Sequence, residues 1–516
     1  AYIVFLYVWA FINTTDLEGD KLDWMYWYNR AGTLASSQFP LITALGTKNN
    51  LVSFVTGISY DKLNYIHRMV TRVVFVLLWV HGGSEIVHQS NFKQRLTETW
   101  LLCGIVALVA LSILCIISLR PIRARVYDFF FYAHFALITI FLVCAYIHDQ
   151  ENEYGYWIYP CFAIWGLDRL LRVVRLIVFN HSYFGFHSGS TMDATAELLS
   201  KDFVRLRFHR PPHFHWTPGQ TAYLIMPSVS RLPFEAHPFT IASFDSDLFN
   251  SVEEEKSCKD EGNQRSLGKH ALGSSTPFWK DIVFFINVRG GFTARLKEVA
   301  LAGRKVKVFV DGPYGPSPDL GSYDTSVLIA GGSGVSYTLP TLLDTIEKVR
   351  EGKSNCRRVV FIWSIRDANH IHWIDDTLIR ALQLAPPSLS ISIRIHAAGV
   401  PVTTESLPRL EDHPEKTGDD SNSDIVEKED GKAMAKNKDV LHAMEAVQID
   451  KGRPNLQAIL REEVECATGR MSVSVCGSQG ISRSVRRALR FPVSSPLNVV
   501  QGGPSVTLHV ESFGYA

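Results

Sequence analysis

Long apolar runs fill the chain up to about residue 180, and short alternating runs broken by proline and glycine follow them. A bilayer core of about 30 Å takes roughly 20 apolar helical residues to cross. Five segments have approximately that size, 31–47, 66–88, 100–119, 129–148 and 157–179, and residues 1–12 read as the end of a sixth. The pattern predicts a six-helix transmembrane bundle over 1–180 whose first helix is truncated. Beyond it, runs such as FVRLRFHRPP and TAYLIMP alternate apolar with polar residues between turn signals, which predicts an antiparallel β-barrel over 186–315. Over 322–516 the pattern becomes buried strand, glycine turn and helix: SVLIA, then GGSG, then VSYTLPTLLDTIEKVRE. With VVFIWSI, LSISIRIH, MSVSVCG and VTLHVE as further strands, this predicts a Rossmann-like α/β domain. Two stretches, about 245–275 and 403–450, are polar, charged and poor in aromatics, and read as disordered insertions.

Charge sets the expected orientation. The loop after 100–119 carries Arg120, Arg123 and Arg125, and Arg169, Arg172 and Arg175 gather at the end of the last segment. Positive residues favour the cytoplasmic side, so the soluble part is expected in the cytosol and the protein in a membrane as a multi-pass chain. A net charge of +1 gives no reason to invoke nucleic acid. The eight cysteines form no C-x-x-C pair, so zinc, iron–sulfur and disulfide-scaffold readings have little support.

The strongest chemical signal lies in the apolar part. His67 and His81 are fourteen residues apart, and so are His134 and His148. At about 100° per residue, fourteen steps return to within roughly 40° of the start, so each pair shares one helix face. At about 1.5 Å rise, the members of a pair sit roughly 21 Å apart along the axis. Both helices are expected to run the same way, which sets His67 level with His134 and His81 level with His148. Such an arrangement can hold two bis-histidine haems, whose filled axial positions suit electron transfer. A single histidine near a helix end is commonly an interfacial residue, but one spacing repeated on two helices is not explained that way. Arg68 and Arg72 lie beside the inner level, either as propionate partners or as positive-inside anchors, and His88 has no counterpart.

Further motifs mark the soluble part. His237-Pro238-Phe239-Thr240 falls on a barrel strand, Trp216-Thr217-Pro218-Gly219-Gln220 on a turn before it, and Gly312-Pro313-Tyr314-Gly315 on a turn after it. Arg289, Gly291 and Thr293 lie in a segment that opens a helix, a natural anion site. Gly331, Gly332 and Gly334 follow a strand and open a helix, where a pyrophosphate can approach backbone amides. Arg366 ends the next strand, where it could pair with a 2′-phosphate and favour NADPH. Together with the histidine quartet these motifs resemble the fungal ferric reductases, relatives of the NADPH oxidases with a ferredoxin-reductase-like flavin domain. The resemblance implies that HPFT contacts FAD and that Arg289 and Thr293 serve its pyrophosphate. It further implies that Cys476 and Gly477 flank the nicotinamide, although Ser478 stands where proline is common. Phe513, or else Tyr515, would cover the flavin.

The resemblance also implies an activity, ferric-chelate reduction with NADPH as donor. Electrons would pass through FAD, the inner haem (His67, His134) and the outer haem (His81, His148) to a ferric or cupric chelate outside the membrane, supporting iron uptake. No residue is then needed as catalytic acid or base. The expected partners are membrane lipid, the metal chelate, and an iron permease or multicopper oxidase system, with the plasma membrane as location. A superoxide-generating NADPH oxidase is the nearest alternative, disfavoured because related oxidases tend to shorten the second histidine spacing by one. A transporter or proton channel with relay histidines would leave HPFT, GPYG and GGSG unexplained. The histidines at 209, 213, 215, 370 and 372 have no third ligand to complete a metal site.

Overall fold

The computed structural model describes residues 1–12, 24–58, 60–88, 92–151, 153–180, 193–211, 214–245, 281–399, 444–490 and 499–511. Both expected insertions lie almost wholly outside these residues, as do Phe513 and Tyr515. The chain divides into two compact units, one running to Arg175 and the other beginning at Leu176.

The first unit is helical: α1 (Tyr2–Phe11), α2 (Trp24–Ser37), α3 (Phe39–Gly46), α4 (Leu51–Thr56), α5 (Tyr60–His88), α6 (Phe92–Arg95), α7 (Thr99–Ile117), α8 (Arg120–Arg125), α9 (Tyr127–Gln150) and α10 (Tyr159–Phe179). Three stretches are long and apolar enough to cross a membrane, Lys62–His88, Thr99–Ile117 and Phe129–Gln150, close to three of the expected spans. The expected span 31–47 is instead broken at Gln38 into α2 and α3. Pro40 explains the break, because proline has no amide to give a preceding turn and fits the first turn of a new helix. The expected span 157–179 is the single helix α10, whose Asp168, Arg169, Arg172 and Arg175 make it more polar than the other three.

Small residues let these helices approach. Leu63, Val70, Val74 and Leu77 form one face of α5 and are buried with Ala31 and Ala35 of α2 and Ala107 and Ala110 of α7. Asp168 is 2% exposed, tolerable for a carboxylate only because it is paired. It accepts from the Asn49 amide (2.9 Å) and side chain (3.0 Å) and pairs with Arg169. That network ties the turn after α3 to α10.

The second unit holds three sheets. Strands β1 (Asp193–Ser200), β2 (Phe203–His209), β3 (Thr221–Ile225), β4 (Ala236–Thr240), β5 (Asp281–Asn287), β6 (Val306–Lys307) and β7 (Phe309–Tyr314) form a four-stranded sheet, β5-β2-β1-β6, and a three-stranded one, β4-β3-β7. Among the described residues they do not close into the expected barrel. The chain crosses from one sheet to the other at Val308, where β6 stops pairing with β1 and β7 starts pairing with β3. Helix α11 (Phe292–Leu301) packs on this part through buried Phe292 and Leu296.

Strands β8 (Thr325–Gly331), β9 (Arg358–Ile365), β10 (Ser390–Ala397), β11 (Val447–Lys451), β12 (Arg470–Cys476) and β13 (Ser505–Glu511) form one parallel sheet in the order β11-β10-β9-β8-β12-β13. Helices α12 (Val335–Arg350), α13 (Asp375–Leu384), α14 (Leu456–Cys466) and α15 (Gln479–Ala488) accompany it. Apolar clusters lie on both faces, which is why its strands read as continuous hydrophobic runs. Strand order reverses between β8 and β12, and in open α/β sheets ligands bind outside the carboxyl ends of the strands at such a point.

Candidate functional site

The reversal point brings together two turns that are 146 residues apart in sequence. Ala330 pairs with Cys476 at the ends of β8 and β12. Beyond that pair the backbones nearly touch. A Cβ on Gly334 would lie 2.1 Å from the Cys476 carbonyl oxygen, and one on Gly331 would lie 2.3 Å from Cδ1 of Ile481. Gly332 takes φ +55°, a left-handed conformation open to glycine, and its carbonyl accepts from Nε1 of Trp363 at 3.0 Å. The glycine turn and the Cys476–Gly477 turn are therefore packed backbone to backbone at the carboxyl ends of β8 and β12, and Arg366 is exposed beyond β9. Ser478, in place of the common proline, caps α15 by accepting from the Ile481 amide.

Cys476 is fully buried, and burial together with the Glu511 carboxylate pushes its thiol well above the usual range. It is therefore a neutral, inert thiol. Alkylation of the folded protein at pH 8 is expected to modify the exposed Cys466 and spare Cys476, read by peptide mass. Rapid modification of Cys476 would contradict that placement.

His237-Pro238-Phe239-Thr240 lies on β4, paired antiparallel with β3 so that Thr240 meets Thr221 and His237 meets Leu224. The His237 ring stacks on Phe292 at 4.0 Å and 20°, leaving Pro238 exposed and Thr240 buried. Thr221 also pairs with Tyr314, so the PGQ turn, HPFT and GPYG meet on one small sheet. Gln220 fastens two of them, accepting from the Thr217 amide (2.9 Å) and donating to the Gly315 carbonyl (2.8 Å). Gly291 caps α11 at φ +56°. The Thr293 hydroxyl accepts from the amides of Arg289 (3.0 Å) and Gly290 (3.3 Å), so it shapes this loop. The start of α11 and the exposed Arg289 side chain lie beside it and suit an anion.

The four histidines converge at two levels on α5 and α9. The rings of His81 and His148 are 6.1 Å apart between centroids, inclined at 67°. Zinc–imidazole bonds of about 2.0–2.1 Å would put two imidazoles on opposite sides of one metal roughly 6 Å apart between centroids, so these two residues fit metal ligation by a histidine pair. His67 and His134 stand one fourteen-residue spacing earlier on the same two helices. Nδ1 of His67 faces the Ile42 carbonyl (2.8 Å), that of His81 the Tyr28 carbonyl (3.1 Å), and that of His148 the Trp100 carbonyl (3.0 Å). A carbonyl only accepts, so each Nδ1 carries the proton and each Nε2 is left as a bare metal-binding atom. Nδ1 of His134 is buried and has no hydrogen-bond partner among the described residues.

Three glycines press on these rings and were not legible as functional residues. A Cβ on Gly104 would lie 2.6 Å from Nδ1 of His148, one on Gly32 3.0 Å from Nδ1 of His81, and one on Gly46 3.3 Å from Nδ1 of His67. The available signal was that Gly32 and Gly46 are also fourteen residues apart. Arg68 reaches back to the Asn64 carbonyl and Arg72 to Sδ of Met69. Other histidines have local partners: His209 faces Asp281, His215 faces Asp245, His372 faces Asp375, and His370 stacks on Trp373 at 4.2 Å.

Three family models match the chain: "Ferric reductase like transmembrane component" over residues 31–145, "FAD-binding domain" over 188–318 and "Ferric reductase NAD binding domain" over 323–489. The chain is 31% identical over 374 residues to the "Probable cell surface ferric reductase kap2" of Aspergillus oryzae, covering 70% of this chain and 46% of that one. It is 25% identical over 468 residues to "Ferric reductase transmembrane component 3" of Saccharomyces cerevisiae, covering 88% and 57%. It is 24% identical over 465 residues to "Ferric/cupric reductase transmembrane component 2" of the same yeast, again covering 88% and 57%. The chain thus spans about half the length of the curated relatives it matches. It belongs to the ferric reductase family.

Proposed function

We propose that the chain carries electrons from cytosolic NADPH, through FAD and two haems, to ferric or cupric chelates across the plasma membrane, supporting iron uptake. The observation that carries this reading is the approach of His81 and His148 to metal-sharing distance on two helices that repeat one histidine spacing. Bound FAD would supply the exchange between a hydride pair and single electrons, and bound haem a one-electron relay with both axial positions filled. His67 and His134 would hold the inner haem, and His81 and His148 the outer one. HPFT, the start of α11 and Arg289 would hold FAD. The glycine turn after β8 would receive the dinucleotide pyrophosphate, with Cys476 and Gly477 walling the nicotinamide side.

Arg366 is the proposed selector for the 2′-phosphate. A charge-assisted hydrogen bond contributes about 1.5–3 kcal/mol, roughly 10- to 100-fold in binding. Arg366→Ala is expected to raise KM for NADPH by that factor and leave KM for NADH nearly unchanged. Equal losses for both nucleotides would remove Arg366 from this role.

The activity is tested in membranes supplied with NADPH. Ferric-chelate reduction that persists without oxygen, and no superoxide in air, is the expected result. Oxygen-dependent superoxide without ferric reduction would instead identify an oxidase.

A further inference from the structure

One device holds three of the four membrane histidines. His81 meets the Tyr28 carbonyl and packs on Gly32, His67 meets the Ile42 carbonyl and packs on Gly46, and His148 meets the Trp100 carbonyl and packs on Gly104. Each glycine stands four residues after the carbonyl it accompanies. The geometry of the helix explains the interval. A helical Cβ leans toward the N-terminus, so a side chain covers the turn before its own and the carbonyl at its end. Glycine leaves that carbonyl uncovered, and an imidazole from the facing helix can reach it.

The fourth histidine breaks the pattern. Fourteen residues separate Gly104 from Ser118, as fourteen separate His134 from His148, so antiparallel α7 and α9 bring Ser118 level with His134. Ser118 keeps helical geometry (φ −77°, ψ −8°), and its amide donates to the Leu114 carbonyl at 3.1 Å. That carbonyl, again four residues earlier, is the one a glycine at 118 would open. His134 correspondingly has its Nδ1 buried with no partner among the described residues.

We infer that Gly32, Gly46 and Gly104 are positioning residues that open a backbone carbonyl to His81, His67 and His148, and that Ser118 withholds the equivalent carbonyl from His134. The outer histidine pair is anchored on both sides and the inner pair on one. This rests on the proposed haem ligation. A carbonyl on Nδ1–H makes an imidazole a more basic ligand, so the outer site gains that contribution twice and the inner site once.

The test uses the purified full chain with its haems, with midpoint potentials and low-spin EPR signals recorded for each. Ser118→Gly is expected to lower one potential only, that of the haem lost in His67→Ala. Second-shell partners change metal affinity by roughly 10- to 100-fold, and a tenfold change in ferric-over-ferrous preference is about 59 mV for one electron. Gly104→Ala is expected to raise the potential of the other haem by a similar factor and to move its EPR signal. Gly83→Ala, on α5 with nothing within 4 Å of the added Cβ, is the unchanged control. If Gly104→Ala fails to assemble, Ser118→Gly, which only removes atoms, decides alone. The inference is overturned if Ser118→Gly retains both haems with wild-type potentials and signals, or if its shift falls on the outer haem. A wild-type protein without two bis-histidine signals would overturn the haem reading itself, before any glycine is changed.

Discussion

His81→Ala is expected to abolish ferric-chelate reduction while leaving NADPH oxidation by a soluble dye intact. His81 and His148 are the ring pair at 6.1 Å, and Nδ1 of each faces a carbonyl, on Tyr28 and on Trp100. Removing one imidazole leaves the partner without its counterpart and takes away half of the proposed outer site. The glycine turn after β8 and the HPFT sheet belong to a separate compact unit, so the hydride uptake proposed there is expected not to depend on His81. The measurement is paired: reduction of a membrane-impermeant ferric chelate, and dye reduction by the same preparation. A drop of at least 100-fold in the first with less than twofold change in the second is expected. Parallel loss of both would mean that His81 supports the fold rather than the transfer.

A comparably large effect is expected from Gly334→Ala at the other end of the route. The added Cβ would sit 2.1 Å from the Cys476 carbonyl oxygen and 2.7 Å from its carbon. Both are backbone atoms at the end of strand β12, held between β8 and β13, so no side chain can swing away to make room. Overpacking of this kind costs about 1–3 kcal/mol, and relief requires prying the two nucleotide turns apart. Lower thermal stability together with a KM for NADPH raised at least tenfold is the expected outcome. Gly352→Ala offers a comparison, because Gly352 has φ +69° but open space around its added Cβ. It should lose only the strain of a left-handed residue, about 1–2 kcal/mol, with KM unchanged. Wild-type KM in Gly334→Ala would show that the turns are not packed as described.

How much of this was legible in the sequence depends on how local each signal is. The histidine pairs were legible because a spacing of fourteen fixes a helix face without knowledge of any neighbour. The glycines at 32, 46 and 104 were not, since their meaning depends on which helix lies opposite and in what register. Pro40 was visible inside the run 31–47, yet length and hydropathy alone read that run as one span. The close approach of Gly334 and Cys476 was foreshadowed by two glycine-bearing turns, but their backbone contact exists only once β8 and β12 are neighbours. Thr293 entered through the resemblance; its bonds to the amides of Arg289 and Gly290 are a tertiary detail of the loop that the sequence does not show. The division into two sheets among the described residues was not legible for a related reason. Alternation marks strands but does not report that the chain changes sheets at Val308.

Haem content per chain bears most directly on the claim that paired imidazoles at two depths form the route. The wild type is predicted to bind two haems per flavin site, and the double variants His67→Ala/His134→Ala and His81→Ala/His148→Ala one each, with different residual spectra. Two haems retained in either double variant, or none in the wild type, would contradict it.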